Sequence, residues 1–327
     1  MNAGSLPYHL RPNKAVERLL FVDLLDRLDE VLHFEDDYEY VGFGGPQMED
    51  FRVLHERFQN MQMISLEREP EIRKRQEFNC PHTNVSLVSK SSGEYISQFQ
   101  PKCKMIAWLD YAEQSERVEQ IDEFQTLLRN LPAMSLVKIT LNANPDNLGS
   151  QAKPGLFEER RDRIMEQFGR FLPSDLSEEG LSDEHFPETL LQILAAASRE
   201  ALAGRSGWVF QPLSAFSYRD NRQQMFTATG IVGTKEKIEE TVEKSRIKKW
   251  HFRNLDWSKP MPISVPELTV KERIHINQIL PKCNNDLKAI HKALGFQLDQ
   301  KAPESEAMLR MYVLFYRHYP HFGRVAF

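Results

Sequence analysis

The amino-acid sequence predicts an α/β protein on a doubly wound, mostly parallel sheet that ends in an antiparallel β-hairpin, with an N-terminal helix before it and a helical tail after it. Three observations carry this prediction. Between residues 38 and 141, five apolar β-type runs alternate with helical stretches, the pattern that lays strands parallel with helices over both faces. A glycine loop, Gly42-Phe43-Gly44-Gly45, directly follows the first run. Much later, Trp208 to Tyr218 and Gln223 to Val232 are joined by the polar turn Arg219-Asp220-Asn221-Arg222, which predicts a hairpin.

The elements follow in order. Residues 13–33 place Val16, Leu19, Leu20, Val22, Leu24, Leu28 and Leu32 at helical spacing, an amphipathic helix entered after Pro12 and closed before Glu35-Asp36-Asp37. Residues 38–58 read as strand, glycine turn and helix, the helix carried by Phe51, Leu54 and Phe58. Met61 to Leu66 is a second strand, Glu71 to Phe78 a charged helix, Asn84 to Val88 a third strand, and Met105 to Leu109 a fourth, closed by Asp110. Helix 115–130 shows Val118, Ile121, Phe124, Leu127 and Leu128 on one face, and Ser135 to Leu141 is the fifth strand. Residues 146–186 form a polar insertion, helical over Leu156 to Phe171 and again in the acidic stretch Asp175 to Glu184. A Leu/Ala-rich helix, 187–202, leads into the hairpin, and a charged helix follows within 234–254. A linker punctuated by Pro260, Pro262 and Pro266 then opens a tail, 269–319, that reads as helices only. The expected organisation is an N-terminal helical segment 1–37, a main domain 38–254 and a helical extension 255–327.

Composition narrows the function. The 327 residues are 41% hydrophobic and 27% charged, so the chain should fold, and it is long enough for one large domain or two ordinary ones. Lys and Arg number 42 against 47 Asp and Glu, a formal charge of −5, so no chain-wide basic field signals nucleic-acid binding. No apolar run reaches the ~18 residues of a membrane helix. Met1 to Pro12 lacks the apolar stretch of a secretion signal. A cytoplasmic protein with no membrane partner is expected. Cys80, Cys103 and Cys283 are odd in number and widely spaced, which predicts reduced thiols rather than a disulfide framework or a zinc site. His33, His55 and His82 show no HExxH-type spacing, so no metal is expected, and no GxSxG serine elbow is present.

A glycine loop between the first strand and its helix offers backbone N–H groups at the carboxyl edge of a parallel sheet, where a nucleotide-like ligand binds. Gly42-x-Gly44-x-x-Gln47 lacks the third glycine of a dinucleotide loop, and no GKS or GKT serves a triphosphate, so nicotinamide and ATP readings weaken. Glu67, closing the second strand 23 residues after Gly44, can accept hydrogen bonds from two ribose hydroxyls, which favours an adenosine-type ligand. The segment 235–253 interleaves Lys244, Arg246, Lys248, Lys249 and Arg253 with Trp250, His251 and Phe252. Its equally acidic first half favours a solvated helix over a phosphate-binding surface. Residues 311–322 (MYVLFYRHYPHF) hold too many aromatics to stand in water, and burial against the main domain or a partner protein is expected.

Five βα units followed by an antiparallel hairpin resemble the Rossmann-like class I S-adenosylmethionine-dependent methyltransferases. LRPNKAVERLLF, YVGFGGPQMEDF and WLDYAE, in particular, resemble a group of bacterial O-methyltransferases. The likeness spans about residues 8–235 and rests more on element order than on any single motif. It implies S-adenosylmethionine as cofactor, with Gly42, Phe43, Gly44 and Gly45 at its methionyl part, Glu67 and Arg68 at the ribose, and Ser92 in the segment facing the adenine. It also implies Asp110 and Tyr111 at the reacting centre, Asp110 orienting or deprotonating the acceptor and Tyr111 shaping its pocket. The sequence departs from the family pattern at Tyr40, where an acid is usual, and at Lys90-Ser91-Ser92, where an aspartate is usual; it also has no [DN]PP[YF] motif. These departures keep open a second reading, a catalytically degenerate module that binds the cofactor or a partner protein in bacterial defence or regulation. The acceptor, whether small molecule, protein or RNA, is not specified by the residues, and the helical tail is a candidate surface for an oligomer or protein partner.

Overall fold

The computed structural model describes residues 11–149, 155–220 and 223–319. Eight strands form one sheet: β1 (Tyr38–Gly42), β2 (Gln62–Leu66), β3 (Val85–Val88), β4 (Lys104–Asp110), β5 (Leu136–Asn142), β6 (Trp208–Asp220), β7 (Gln223–Thr234) and β8 (Met261–Ile263). Their order is β3-β2-β1-β4-β5-β7-β6-β8. β1 to β5 are mutually parallel where they pair, and β7 lies antiparallel beside β5. Order reverses between β1 and β4, the switch point at which open α/β sheets leave a crevice beyond their carboxyl ends. The predicted fold class is therefore the observed one. Of the hairpin turn, Asn221 and Arg222 lie outside the described residues.

The chain divides into two compact units. The larger holds residues 21–217 and 223–261 so far as they are described. One face of its sheet packs a continuous apolar core: Leu109, Val137, Ile139 and Leu141 meet Phe124, Leu127 and Leu128 of helix Arg117–Asn130 and Leu190, Leu194 and Ala197 of helix Phe186–Leu202. Strand alternation sends Trp108 and Lys138 to the other face. There Phe21, from helix Pro12–Leu32, packs edge-on to Trp108 at 5.3 Å. The smaller unit, residues 11–20, 218–220 and 262–319 among those described, packs helices Val270–Cys283, Leu287–Leu294 and Ala302–Phe315 around Ile276, Leu280, Ile290, Leu309 and Tyr312. Thr269 and Glu272 close a capping box on the first of these helices, and Gly295 ends the second at φ +75. Tyr312 and Tyr319 are buried within this helical unit itself, which accounts for much of the aromatic run at 311–322. Pro320, His321 and Phe322 lie outside the described residues.

Two local expectations are corrected and one element is added. The proline-punctuated linker contains β8, Met-Pro-Ile at a sheet edge, where a proline costs no ladder bond. The acidic stretch 175–184 forms turns and one short 3-10 segment, Glu179–Leu181, because Ser, Gly and Asp there favour local turns over a helix. A short helix, Ser92–Ser97, precedes β4, fixed by a capping box in which Ser91 and Glu94 exchange hydrogen bonds.

Candidate functional site

At the carboxyl edge of β1, β2, β3 and β4 lies a cleft of about 490 Å3. Each strand end brings a side chain to it: Phe43 after β1, Glu67 and Arg68 after β2, Ser92 after β3, Tyr111 after β4. Helix Arg117–Asn130 and the turn before it add Glu116, Glu119, Gln120 and Glu123.

The glycine loop is built for close packing. Gly44 donates its N–H to the buried Ser65 Oγ at 3.1 Å, and a Cβ on Gly44 would lie 2.3 Å from Met48 Sδ and 2.7 Å from that hydroxyl. Gly45 sits at φ +52, a conformation glycine adopts without cost. Under Gly42 the Tyr40 ring fills the space a side chain would take, its hydroxyl 2.5 Å from the position of a Cβ, and it packs edge-on against Phe51 at 5.2 Å. Tyr40 thus shapes the loop from below and is buried.

Glu67 donates its backbone N–H to the Val88 carbonyl at 3.1 Å, and one of its carboxylate oxygens accepts the Glu69 N–H at 2.8 Å. That holds the carboxylate at the strand end. Phe43 and Tyr111 face each other at 5.6 Å and make the apolar wall. Tyr111 is buried and donates its hydroxyl to a carboxylate oxygen of Glu123. Burial first, and the adjacent Glu123 carboxylate second, raise its pKa well above the usual tyrosine value, so it is a neutral donor at physiological pH. Gln120 donates to the Glu113 carbonyl at 2.8 Å, while its buried Oε1 has no hydrogen-bond partner among the described residues.

Of the sequence-predicted residues, Phe43, Glu67, Arg68, Ser92 and Tyr111 come together as lining. Gly42, Gly44 and Gly45 form the loop beside it without lining it. Asp110 does not join them: alternation along β4 sends it to the Trp108 face, opposite Leu109 and Tyr111. Sequence reasoning missed Glu116, Glu119, Gln120 and Glu123. Their i, i+3, i+4, i+7 spacing, which puts them on one face of a helical segment, was the available signal.

The floor beyond the cleft is braced by Arg117, also missed. Its guanidinium donates to the Asn142 carbonyl at 2.8 Å, to Asn147 Oδ1 at 2.6 Å and to the Asn144 carbonyl, and lies 5.1 Å from the Phe186 ring. Burial lowers its pKa, while three oxygens in the guanidinium plane favour the charged form. In the basic segment, Lys244 and Lys248 pair with Glu240 and Glu243 at 2.6 and 2.7 Å, and Trp250 and Phe252 are buried. Of its three rings only His251 is exposed. Cys80, Cys103 and Cys283 are free thiols. Among the described residues no group of three or more His, Cys, Asp or Glu could hold a metal ion, and no helix is long and apolar enough to cross a membrane.

A parallel sheet with this switch point, a glycine loop after β1, an acid after β2 and an antiparallel β7 beside β5 define the class I methyltransferase fold. The chain belongs to the family described as "Putative O-methyltransferase", whose model matches residues 6–327. Similar solved structures include the plantazolicin methyltransferase BamL in complex with an analogue and SAH (10% identity, 66% of this chain and 85% of that one, TM-score 0.42). They also include the N-methyltransferase NodS from Bradyrhizobium japonicum (10% identity, 66% and 96%, TM-score 0.36). A third is the Methanococcus jannaschii fibrillarin pre-rRNA processing protein (12% identity, 62% and 68%, TM-score 0.36). At these TM-scores the likenesses carry no argument about this chain. No curated protein matches it.

The family implies S-adenosylmethionine as cofactor, and the cleft's donor set fits it. Four glutamates stand against Arg68 and Lys90, so the lining is net acidic and rich in acceptors, as a ligand with a sulfonium, an ammonium, hydroxyls and an amino group requires. The orphaned Gln120 Oε1 lacks a donor that such a ligand carries.

Proposed function

We propose that this chain catalyses methyl transfer from S-adenosylmethionine to an oxygen acceptor. The observation that carries the reading is the acid-rich cleft at the switch point, into which four strand ends deliver Phe43, Glu67, Ser92 and Tyr111. When bound there, the cofactor supplies an electrophilic methyl on sulfur. The chain's own residues do the rest. Glu67, held by the Glu69 N–H, accepts hydrogen bonds from the ribose hydroxyls, with Arg68 beside it. The loop Gly42 to Gly45 presents backbone to the methionyl part, and Ser92 borders the adenine. Phe43 and Tyr111 exclude water, and alignment without water is the main need of an in-line displacement. Tyr111, protonated and turned to Glu123, shapes the pocket and is no base. Asp110, on the other face of β4, does not line the cleft and takes no part in the transfer; the acceptor's hydroxyl proton leaves through the open, carboxylate-lined side of the cleft at Glu116 and Glu119.

The test is calorimetric titration with S-adenosylmethionine of wild type and Glu67→Ala. Loss of two charge-assisted bonds, each worth roughly 1.5 to 3 kcal/mol, should weaken binding at least about tenfold. The melting temperature should move little, since Glu67 is only half-buried and pairs with one backbone amide. Unchanged affinity in Glu67→Ala would remove the cofactor assignment. The placement of Asp110 away from the cleft favours the degenerate module as second reading; robust methyl transfer by the purified chain would dismiss it.

A further inference from the structure

A second concavity, of about 500 Å3, lies at the opposite end of the larger unit's sheet. β7 runs antiparallel to β5, with Ile231 opposite Leu136 at the amino end of β5 and Met225 opposite Asn142 at its carboxyl end. The start of β6 and the end of β7 therefore sit at the amino edge, remote from the cleft beyond Glu67.

The lining is unlike the first cleft in charge. Trp208, Trp257 and Phe210 supply rings, and Arg199, Arg205 and Lys235 supply three positive charges, in a chain of formal charge −5; no carboxylate lines the cleft itself, though Lys235 stands 3.8 Å from Glu239 one helical turn on. The walls are fixed in advance. Arg205 donates to the carbonyls of Leu128 and Leu131 at 3.2 and 2.8 Å, at the exit of helix Arg117–Asn130, and its guanidinium lies 3.2 Å from the centre of the Trp208 ring. Trp257 occupies φ +59, where a bulky side chain is strained and persists only if its surroundings hold it. Its ring stands 6.0 Å from Phe210, and Gln211 donates to the neighbouring Leu255 carbonyl at 2.6 Å, tying that segment to β6. Strain of this kind concentrates at ligand clamps.

Two indoles could in principle hold a cation, but three like charges exclude one. The volume is that of a small-molecule site. We propose that this cleft binds a small organic anion with a flat aromatic body, the ring against Trp208 and Trp257 and the negative group toward Arg199 and Lys235, both exposed. The proposal does not depend on the cofactor reading.

The probe is 1-naphthoate, titrated calorimetrically into the full chain; the net acidic lining of the first cleft disfavours an anion there. Saturable binding at one per chain is expected, at least tenfold weaker for the uncharged 1-naphthalenemethanol. It should also be at least tenfold weaker in the double variant Arg199→Glu/Lys235→Glu. If circular dichroism shows that variant misfolded, Arg199→Gln/Lys235→Gln replaces it, with a threefold or greater loss expected. No saturable heat at millimolar 1-naphthoate, equal affinity for the alcohol, or wild-type affinity in a folded double variant would each overturn the proposal. The last outcome would leave Trp208 and Arg205 as packing alone.

Discussion

Arg117→Ala should destabilise the larger unit by about 3 to 5 kcal/mol, the largest single-residue effect expected in this chain. Arg117 is 1% exposed, and its guanidinium satisfies two main-chain carbonyls and the Asn147 amide oxygen, at the end of β5 and in the loop that leaves it. Removal orphans three acceptors, and an unsatisfied buried group costs about 1 to 3 kcal/mol. Relaxation and entering water keep the sum below the arithmetic maximum. Arg117→Lys should recover less than half of the loss, because one ammonium cannot meet three acceptors spread along a planar fork. Urea unfolding read by tryptophan emission measures this directly, since Trp108, Trp208, Trp250 and Trp257 all lie in the larger unit. A midpoint shift equivalent to less than about 0.5 kcal/mol, the range of ordinary surface substitutions, would mean that the loop holds itself without Arg117.

Alkali should destabilise the same unit by roughly 3 kcal/mol between pH 8 and pH 11. Tyr38 is buried and donates to the Met134 carbonyl at 3.0 Å; burial raises its pKa, and burial with Glu123 raises that of Tyr111. In the unfolded chain both titrate near 10. Above pH 10 the unfolded chain releases protons that the folded chain keeps, so stability is complete below pH 10 and falls as pH rises. The slope approaches about 1.4 kcal/mol per pH unit for each tyrosine. Arg117, with its three oxygen acceptors, remains protonated across this range and does not oppose the fall. Tyr38→Phe should remove about a third to a half of the pH 8 to 11 difference, because burial also pushes the half-buried Tyr95 of the same unit up to about 12. An alkaline slope unchanged in Tyr38→Phe would show that some other group carries it.

The fold was legible because its signals are local and repeated. Apolar runs such as MIAWL and SLVKITL, spaced by helical stretches, place parallel strands from the sequence pattern alone. The misreadings arose where a local cue was overridden or ambiguous. Pro262 reads as a linker residue and sits at a sheet edge, and Ser91 with Glu94 spelled a capping box that went unread. The site was legible in part. Glu67 and Phe43 were found because a strand end and a glycine loop fix their position along the chain. Asp110 was favoured as an acid closing a strand, yet the pleat turns alternate residues to opposite faces, and its neighbour Tyr111 reaches the cleft instead. Glu123 and Gln120 belong to a helix whose rotation about its own axis is set by the packing of Phe124, Leu127 and Leu128. Their direction became definite only with the core. Arg117 was hidden for the same reason: three of its bonds are made to residues 142 to 147, across the strand that follows its helix.

The seating of β7 against β5 also imposes an order on assembly. Leu136 pairs with Ile231 and Asn142 with Met225, partners some 80 to 100 positions later in the chain, so loop closure makes this ladder slow relative to the β1 to β4 pairings. On the ribosome, β5 must wait with one edge open until its partner emerges. An apolar strand with an open edge invites pairing with a second nascent chain. Lys138 stands in the middle of β5; in the native state its ammonium lies 3.3 Å from the centre of the Trp108 ring and 4.3 Å from that of Phe21. A lysine in the middle of such a strand guards the waiting edge, and the two rings become its shelter once the sheet has closed.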